Sequence, residues 1–183
     1  MASQIDYKFI SDLEGGCKLK GYVPDAGNSG VTIATGFDLG QRNESDLKKL
    51  KLSSDIISKF KPYLGVTKKD AKELLKKTPL SINKEQGKAI DKAVKADHVS
   101  SLEKKYNSAL GNKKKFSSLP ARAQTVIASV SFQYGVNLAS AAPKFWKAVT
   151  AQNWTETVKI LKNFGDEYST RRKKEAVYLE KVQ

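Results

Sequence analysis

The stretch LEGGCKLKGYVPDAGNSGVTIATGFDLGQ, residues 13–41, sets several side chains that could do acid–base chemistry among glycines, with few large apolar residues between them. Glu14 closes an apolar-patterned segment and precedes Gly15-Gly16. The negative end of a helix dipole and partial burial against Phe9 and Ile10 would both favour its protonated form there. A carboxylic acid kept protonated near neutral pH is what a general acid requires. A surface glutamate before a Gly-Gly stop would read the same way. In GVTIATGFDLGQ, a strand alternation puts Thr32, Ala34, Gly36 and Asp38 on one face and Val31 and Ile33 on the other. This predicts an apolar inner face and a polar outer face suited to a cleft wall. A straight strand from Thr32 to Asp38 would span roughly 20 Å, so the two converge only if the chain turns near Thr35-Gly36. Two carboxylates with a water between them suit glycosidic-bond hydrolysis: one protonates the leaving oxygen and the other activates or positions the water. A threonine hydroxyl could hold that water. Asp25, in VPDAGNSG, is a rival second carboxylate, although Pro before it and Gly-Asn after it also fit a turn-stabilising Asp. Residue chemistry alone leaves Asp25 and Asp38 open, and Asp12, Glu44 and Asp46 read as solvated.

The rest of the chain narrows the chemistry. Its 183 residues suit one domain with two lobes, about 1–80 and 81–183. Cys17 is the only cysteine, expected as a small packed residue, and His98 the only histidine, expected as a solvated or capping residue. Neither a cysteine-based zinc site nor a His triad is available, so no metal or other cofactor is expected. Walker, GxGxxG, GxSxG and HExxH motifs are missing from the sequence. The net charge is +14, and only four of the 33 basic residues are Arg. Base-reading proteins lean on Arg for bidentate contacts, whereas a Lys-dominated surface fits diffuse attraction to a polyanion. The start, MASQIDYKFISDLEGG, does not read as a secretory signal, and no run approaches the ~20 apolar residues of a membrane span.

The elements that must position these residues follow from periodicity. Residues 4–14 predict a helix with Ile5, Phe9, Ile10 and Leu13 on one face, stopped by Gly15-Gly16. Residues 17–41 predict short strands and turns. ESDLKKLKL, SSDIISKFKPYLG and TKKDAKELLKK predict three short helices, the last opened by a Thr67-x-x-Asp70 box. A longer helix is expected from Ser81 or Asn83 to about Leu110, with Gly87 as a weak point. GNKKKFSSLP, residues 111–120, reads as a loop. ARAQTVIASVSFQYG predicts the most apolar helix, closed by Gly135, and three shorter helices follow.

These residues resemble the pesticin-like branch of the phage-type lysozymes. That pattern is a helix ending in Glu-Gly, a Tyr-containing strand and then G-V-T-x-x-x-G-x-D-x-G-Q, carried here by FISDLEGGCKLKGYVPD and SGVTIATGFDLGQ. SLPARAQTVIASVSFQYG, PKFWKAVTAQNWTETVKILKNFG and YSTRRKKEAVYL agree more loosely with its C-terminal half, so the likeness spans about residues 5–180. It implies an α+β, mostly α-helical fold, with a short antiparallel sheet in the N-terminal lobe, a helical C-terminal lobe and a cleft between them. It implies muramidase activity on the β-1,4 bond between N-acetylmuramic acid and N-acetylglucosamine. The general acid falls on Glu14, the catalytic threonine on Thr32 and the second carboxylate on Asp38. In the wider family that carboxylate comes from the preceding loop, which keeps Asp25 as a fallback. Tyr22, Gln41, Gln133, Tyr134 and Arg171 are candidate glycan contacts. Many relatives have His where this chain has Phe37, which cannot offer the acid a hydrogen bond; Arg171 or Arg172 would offer one instead.

The expected partner is the glycan strand of peptidoglycan, together with an immunity protein if the chain is a toxin. Nucleic acid and membrane insertion are not expected, and a monomer is. The expected place of action is the periplasm or cell wall of a target or host cell, after synthesis in the cytoplasm, as a phage endolysin or an antibacterial toxin domain. Two alternatives are a lytic transglycosylase and a non-catalytic basic module that binds polyanions, with RRKKEAVYLEK as its candidate surface.

Overall fold

A computed structural model describes residues 4–25, 27–109 and 114–182. Residues 110–113, which include the start of the expected 111–120 loop, lie outside them. The described chain forms two compact units: residues 14–97, and residues 1–13 with 98–183. The division thus falls at 13/14 and 97/98, whereas the sequence pattern suggests a boundary near residue 80. The architecture is α+β and mostly helical, with one small antiparallel sheet.

The unit built on residues 14–97 carries the sheet. Strands β1 (Lys18–Tyr22), β2 (Thr32–Ala34) and β3 (Phe37–Asp38) pair in the order β1-β2-β3, all antiparallel. Around it lie α2 (Glu44–Lys49), α3 (Ser54–Phe60), α4 (Lys68–Lys77) and the first part of α5 (Lys84–Asn107). Their shared core includes Val31, Ile33, Leu39, Leu47, Phe60 and Ile90. Asn43 caps α2 through a reciprocal box with Asp46. Asn83 and Gln86 exchange the same pair of bonds at the start of α5, at 3.1 and 2.7 Å. The box expected at Thr67 is not made: its side chain gives α4 no cap bond, and Thr67 instead forms a backbone bridge to Gly30.

That bridge belongs to a close backbone crossing. A Cβ on Gly30 would lie 2.2 Å from the Val66 carbonyl oxygen and 2.5 Å from the Gly40 Cα. Only residues without side chains let these segments meet. Gly87 serves the same purpose in α5, since a Cβ there would lie 2.7 Å from Cys17 Sγ and 3.2 Å from Leu19 Cδ2. The apparent weak point of the helix is where it meets the segment leading into β1.

The other unit opens with α1 (Tyr7–Leu13), a helix too short to be stable alone. Asp6 Oδ1 accepts from Phe9 N–H at 3.0 Å, capping it. Ile10 is fully buried, worth about 1.5–3 kcal/mol. The preceding residues are tied to α6 (Ala121–Tyr134), where Gln124 Oε1 and Thr125 Oγ1 accept from Gln4 N–H and Asp6 N–H at 2.8 and 2.9 Å. Phe9 stacks on Tyr178, with ring centroids 4.0 Å apart. Four helices follow: α7 (Leu138–Ala141), α8 (Pro143–Thr150), α9 (Trp154–Lys162) and α10 (Ser169–Glu180). The sequence predicts three, because α7 is a single turn. His98 is not solvated or capping. Its Nε2 lies 2.9 Å from Ser131 Oγ, and its ring stacks on Phe132 at 4.5 Å.

Candidate active site

Gly15 and Gly16, both at positive φ, end α1 and turn the chain towards β1 immediately after Glu14. Glu14 belongs to the unit that holds the sheet, and its side chain is 15% exposed. Lys95 Nζ, on α5, lies 3.6 Å from Glu14 Oε2, and the lysine side chain is itself only 11% exposed. Burial favours the neutral acid and the ammonium favours the carboxylate, so the two influences oppose each other at this group.

The segment with Thr32 and Asp38 is a tight hairpin. Thr32 pairs with Asp38 and Ile33 with Phe37, which leaves Ala34, Thr35 and Gly36 to make the turn. Ala34 and Gly36 both take positive φ, 52° and 77°. The chain therefore turns where convergence of Thr32 and Asp38 requires it. On the other side of β2, Tyr22 is the register partner of Thr32. Tyr22, Thr32 and Asp38 accordingly form one row across the three strands, with their side chains on one face. Lys18 Nζ sits 4.0 Å from the Tyr22 ring centroid.

The expectation of a polar, open face on β2 is corrected. Thr32 is 3% exposed, and the neighbouring Val31, Ile33 and Ala34 are buried as well. β2 is the middle strand of three, paired along both edges, and its residues are buried on both faces of the sheet. The Thr32 hydroxyl donates to the Gly30 carbonyl at 3.2 Å, which leaves its lone pairs as acceptors. Asp38 is only partly buried. Its Oδ1 accepts from the N–H groups of Gly30 at 3.0 Å and Gly40 at 2.9 Å, capping the 3-10 turn Leu39–Gln41. Among the described residues, Oδ2 receives no hydrogen bond.

Asp25 stands apart. Its side chain is 98% exposed and pairs with Lys72 at 2.9 Å. That hydrogen bond and the lysine charge hold its carboxyl below the usual range. Gln41 is exposed and donates to the Asn28 carbonyl at 2.8 Å. Gln133, Tyr134 and Arg171 lie in the other unit, where their polar atoms enter an internal network. Gln133 Oε1 accepts from Arg172, Tyr134 Oη donates to Asp166 at 2.8 Å, and Arg171 donates to Glu175 and Ser129 at 3.0–3.2 Å. Arg172 and Glu175 are almost fully buried and pair with each other. The cation that faces Glu14 from within its own unit is Lys95, which sequence reasoning missed. In a chain with 29 Lys, nothing local singles it out.

Among the described residues no group of His, Cys, Asp and Glu is placed to hold a metal ion, and no helix is long and apolar enough to cross a membrane. Cys17, expected to be packed, is exposed at its surface. Partial burial raises its thiol pKa, Asp91 beside it acts in the same direction, and Lys95 opposes them.

A mostly helical α+β chain with one short antiparallel sheet fits the phage-lysozyme fold class. Residues 4–155 match the model of the Pesticin family, described as a bacterial toxin homologue of phage lysozyme, C-terminal part, and the chain belongs to that family. The match takes in Glu14, Thr32 and Asp38 and ends before α10. No curated protein matches the chain. At the level of the family, membership supports a lysozyme-like muramidase toxin, a hydrolase of glycosidic bonds.

Proposed function

We propose that this chain hydrolyses the β-1,4 bond between N-acetylmuramic acid and N-acetylglucosamine in peptidoglycan, and that it does so as an antibacterial toxin domain. The observation that carries this reading is the Thr32–Asp38 cross-strand pair, which lies within the stretch that matches the family. Glu14, protonated, gives its proton to the glycosidic oxygen as the bond to the anomeric carbon breaks. A water accepted by Thr32 Oγ1 and by the open Asp38 Oδ2 attacks the opposite face of the oxocarbenium-like centre. Asp38 takes the proton of that water, the product is a reducing sugar of inverted configuration, and solvent exchange restores both carboxyl groups. Inversion requires the carboxyl groups to stand about 6.5–9.5 Å apart.

The toxin assignment rests on the family's description, and the +14 charge supports attraction to an anionic cell wall. Action in the periplasm or wall of a target cell, as a monomer countered by the producer's immunity protein, completes the proposal. The decisive experiment is mass analysis of muropeptides after digestion by the wild type and by Glu14→Gln. Hydrolysis yields reducing ends, whereas a lytic transglycosylase yields anhydro ends lighter by one water. Glu14→Gln is expected to release no muropeptides per folded molecule, and to melt lower than the wild type because it leaves the buried Lys95 ammonium without its carboxylate. Release at the wild-type rate would remove Glu14 from the role of acid.

A further inference from the structure

Gly87, Asp91 and Lys95 recur every four residues on α5, so they lie along one face of the helix at steps of about 6 Å. Each meets a different part of the segment that carries the proposed chemistry. Gly87 lets the helix approach Cys17 and Leu19. Asp91 accepts from the Thr35 backbone N–H at 3.0 Å and from its hydroxyl at 2.7 Å. Thr35 is the middle residue of the turn between Thr32 and Asp38. One turn further along, Lys95 pairs with Glu14 at 3.6 Å.

Neither contact is ordinary surface decoration. The Thr35 clamp uses both carboxylate oxygens on a backbone donor and a side-chain donor, bonds of the stronger, charge-assisted kind. Lys95, at 9% exposure, is among the few buried charged residues of the chain. Removing an ammonium from water is costly unless an anion compensates it, and its partner is the proposed acid.

We infer that Asp91 and Lys95 are positioning residues, with Asp91 holding the hairpin turn and Lys95 holding the Glu14 carboxyl, so that one face of α5 sets the acid against the Thr32–Asp38 pair. The inference deepens the reading of Glu14 as general acid and rests on it. Lys95 also disfavours the protonated form that the acid needs, so it trades protonation for placement.

The test uses Lys95→Met, Lys95→Arg, Thr35→Val and Glu14→Gln in the full chain. Soluble uncrosslinked glycan strands serve as substrate, with thermal melts and a 13C titration of the Glu14 carboxyl alongside. Lys95 is a charged neighbour of that carboxyl within its unit, and Lys95 in turn acts on the Cys17 thiol together with Asp91. Lys95→Met is expected to lower kcat about tenfold at the optimum with KM within about twofold. It should also raise the Glu14 titration by about one pH unit and carry the alkaline limb of the rate profile upward with it. Lys95→Arg should restore most of kcat and return the titration. Thr35→Val should lower kcat several-fold and leave the Glu14 titration in place. Wild-type kcat and an unmoved titration in Lys95→Met would overturn the inference. So would a lower melt with unchanged kcat per folded molecule. If Lys95→Met does not fold, Lys95→Arg and Thr35→Val decide: wild-type kcat in Thr35→Val, or an inactive but folded Lys95→Arg, counts against it. If Glu14→Gln turns over normally, the general-acid reading itself fails. If Glu14→Gln is inactive and Lys95→Met is not impaired, only the positioning inference fails.

Discussion

Asp38 does two things in this reading, and substitution can separate them. Its Oδ1 accepts two backbone hydrogen bonds, from Gly30 and Gly40, and so pins the glycine crossing beneath the hairpin. Its Oδ2 is the oxygen proposed to hold water. Asp38→Ala removes both bonds. Hydrogen bonds to a charged acceptor contribute roughly 1.5–3 kcal/mol each. Because Asp38 is partly exposed, water replaces some of that loss, and about 2–4 kcal/mol is a fair expectation. At about 2–4 °C per kcal/mol for a chain of this size, the melt should fall by roughly 5–15 °C. Asp38→Asn keeps an amide oxygen at the Oδ1 position and loses only the charge assistance, costing about 1 kcal/mol.

The chemistry should respond in the opposite proportion. Asn cannot take a proton from water, so Asp38→Asn is expected to lose about 10²–10⁴ in kcat while remaining folded. The assay is release of reducing ends from soluble glycan strands, normalised to folded protein by near-UV circular dichroism. Asp25→Asn is the matched control: that side chain is exposed and, among the described residues, pairs with Lys72, so the variant should melt and turn over as the wild type does. Near-normal kcat in Asp38→Asn, with the damage confined to the stability of Asp38→Ala, would reduce Asp38 to a capping residue. If activity were lost in Asp25→Asn instead, the second carboxylate would lie in the preceding loop.

The other predictions concern the frame and the surface. Gly30→Ala drives a Cβ into backbone atoms of Val66 and Gly40, which cannot swing aside; a loss above about 3 kcal/mol, or no cooperative melt, is expected in urea titration. Asp166 is subject to burial, which raises its carboxyl pKa, but hydrogen bonds from Tyr134 and Arg172 outweigh burial and leave it lowered. Its stabilising contribution is therefore complete above the unfolded value near pH 4 and is lost as pH falls through the lower folded value. Melts of the wild type and Asp166→Asn should converge as acid is added from pH 5 to pH 2, and a constant gap would refute the linkage. With a net charge of +14, binding of the Glu14→Gln variant to isolated sacculi should weaken steeply between about 0.01 and 0.15 M salt, where the screening length shrinks from ~30 to ~8 Å. Salt-independent binding would mean that attraction to the wall is not electrostatic.

How far the site is legible in the sequence depends on whether its contacts are local. The end of α1 and the turn of the hairpin can be read because each is set by residues within a few positions. Two glycines stop the helix, and Thr32 can face Asp38 only by turning at Ala34–Gly36. The two-sided burial of β2 cannot be read, because alternation in three residues does not tell which face a later helix will cover. Thr67 looks like a cap by local rules and fails as one because its backbone is used in a bridge to Gly30. Gly87 looks like a defect for the converse reason: its value lies in a contact with Cys17, far away in sequence. Asp91 reaches Thr35 across 56 residues, and no local signal marks such a pair. Yet the four-residue recurrence of Gly87, Asp91 and Lys95 is visible in the sequence. It is easily passed over because helix patterning is searched for its apolar face, and on α5 that face is divided: Ile90 belongs to one core, Val99 and Leu102 to the other. A long helix whose apolar residues serve two cores shows no single apolar face, and which of its polar stripes matters is set by contacts distant in sequence. On α5 that stripe meets the sequence around Glu14, Cys17 and Thr35, which is where the proposed chemistry lies.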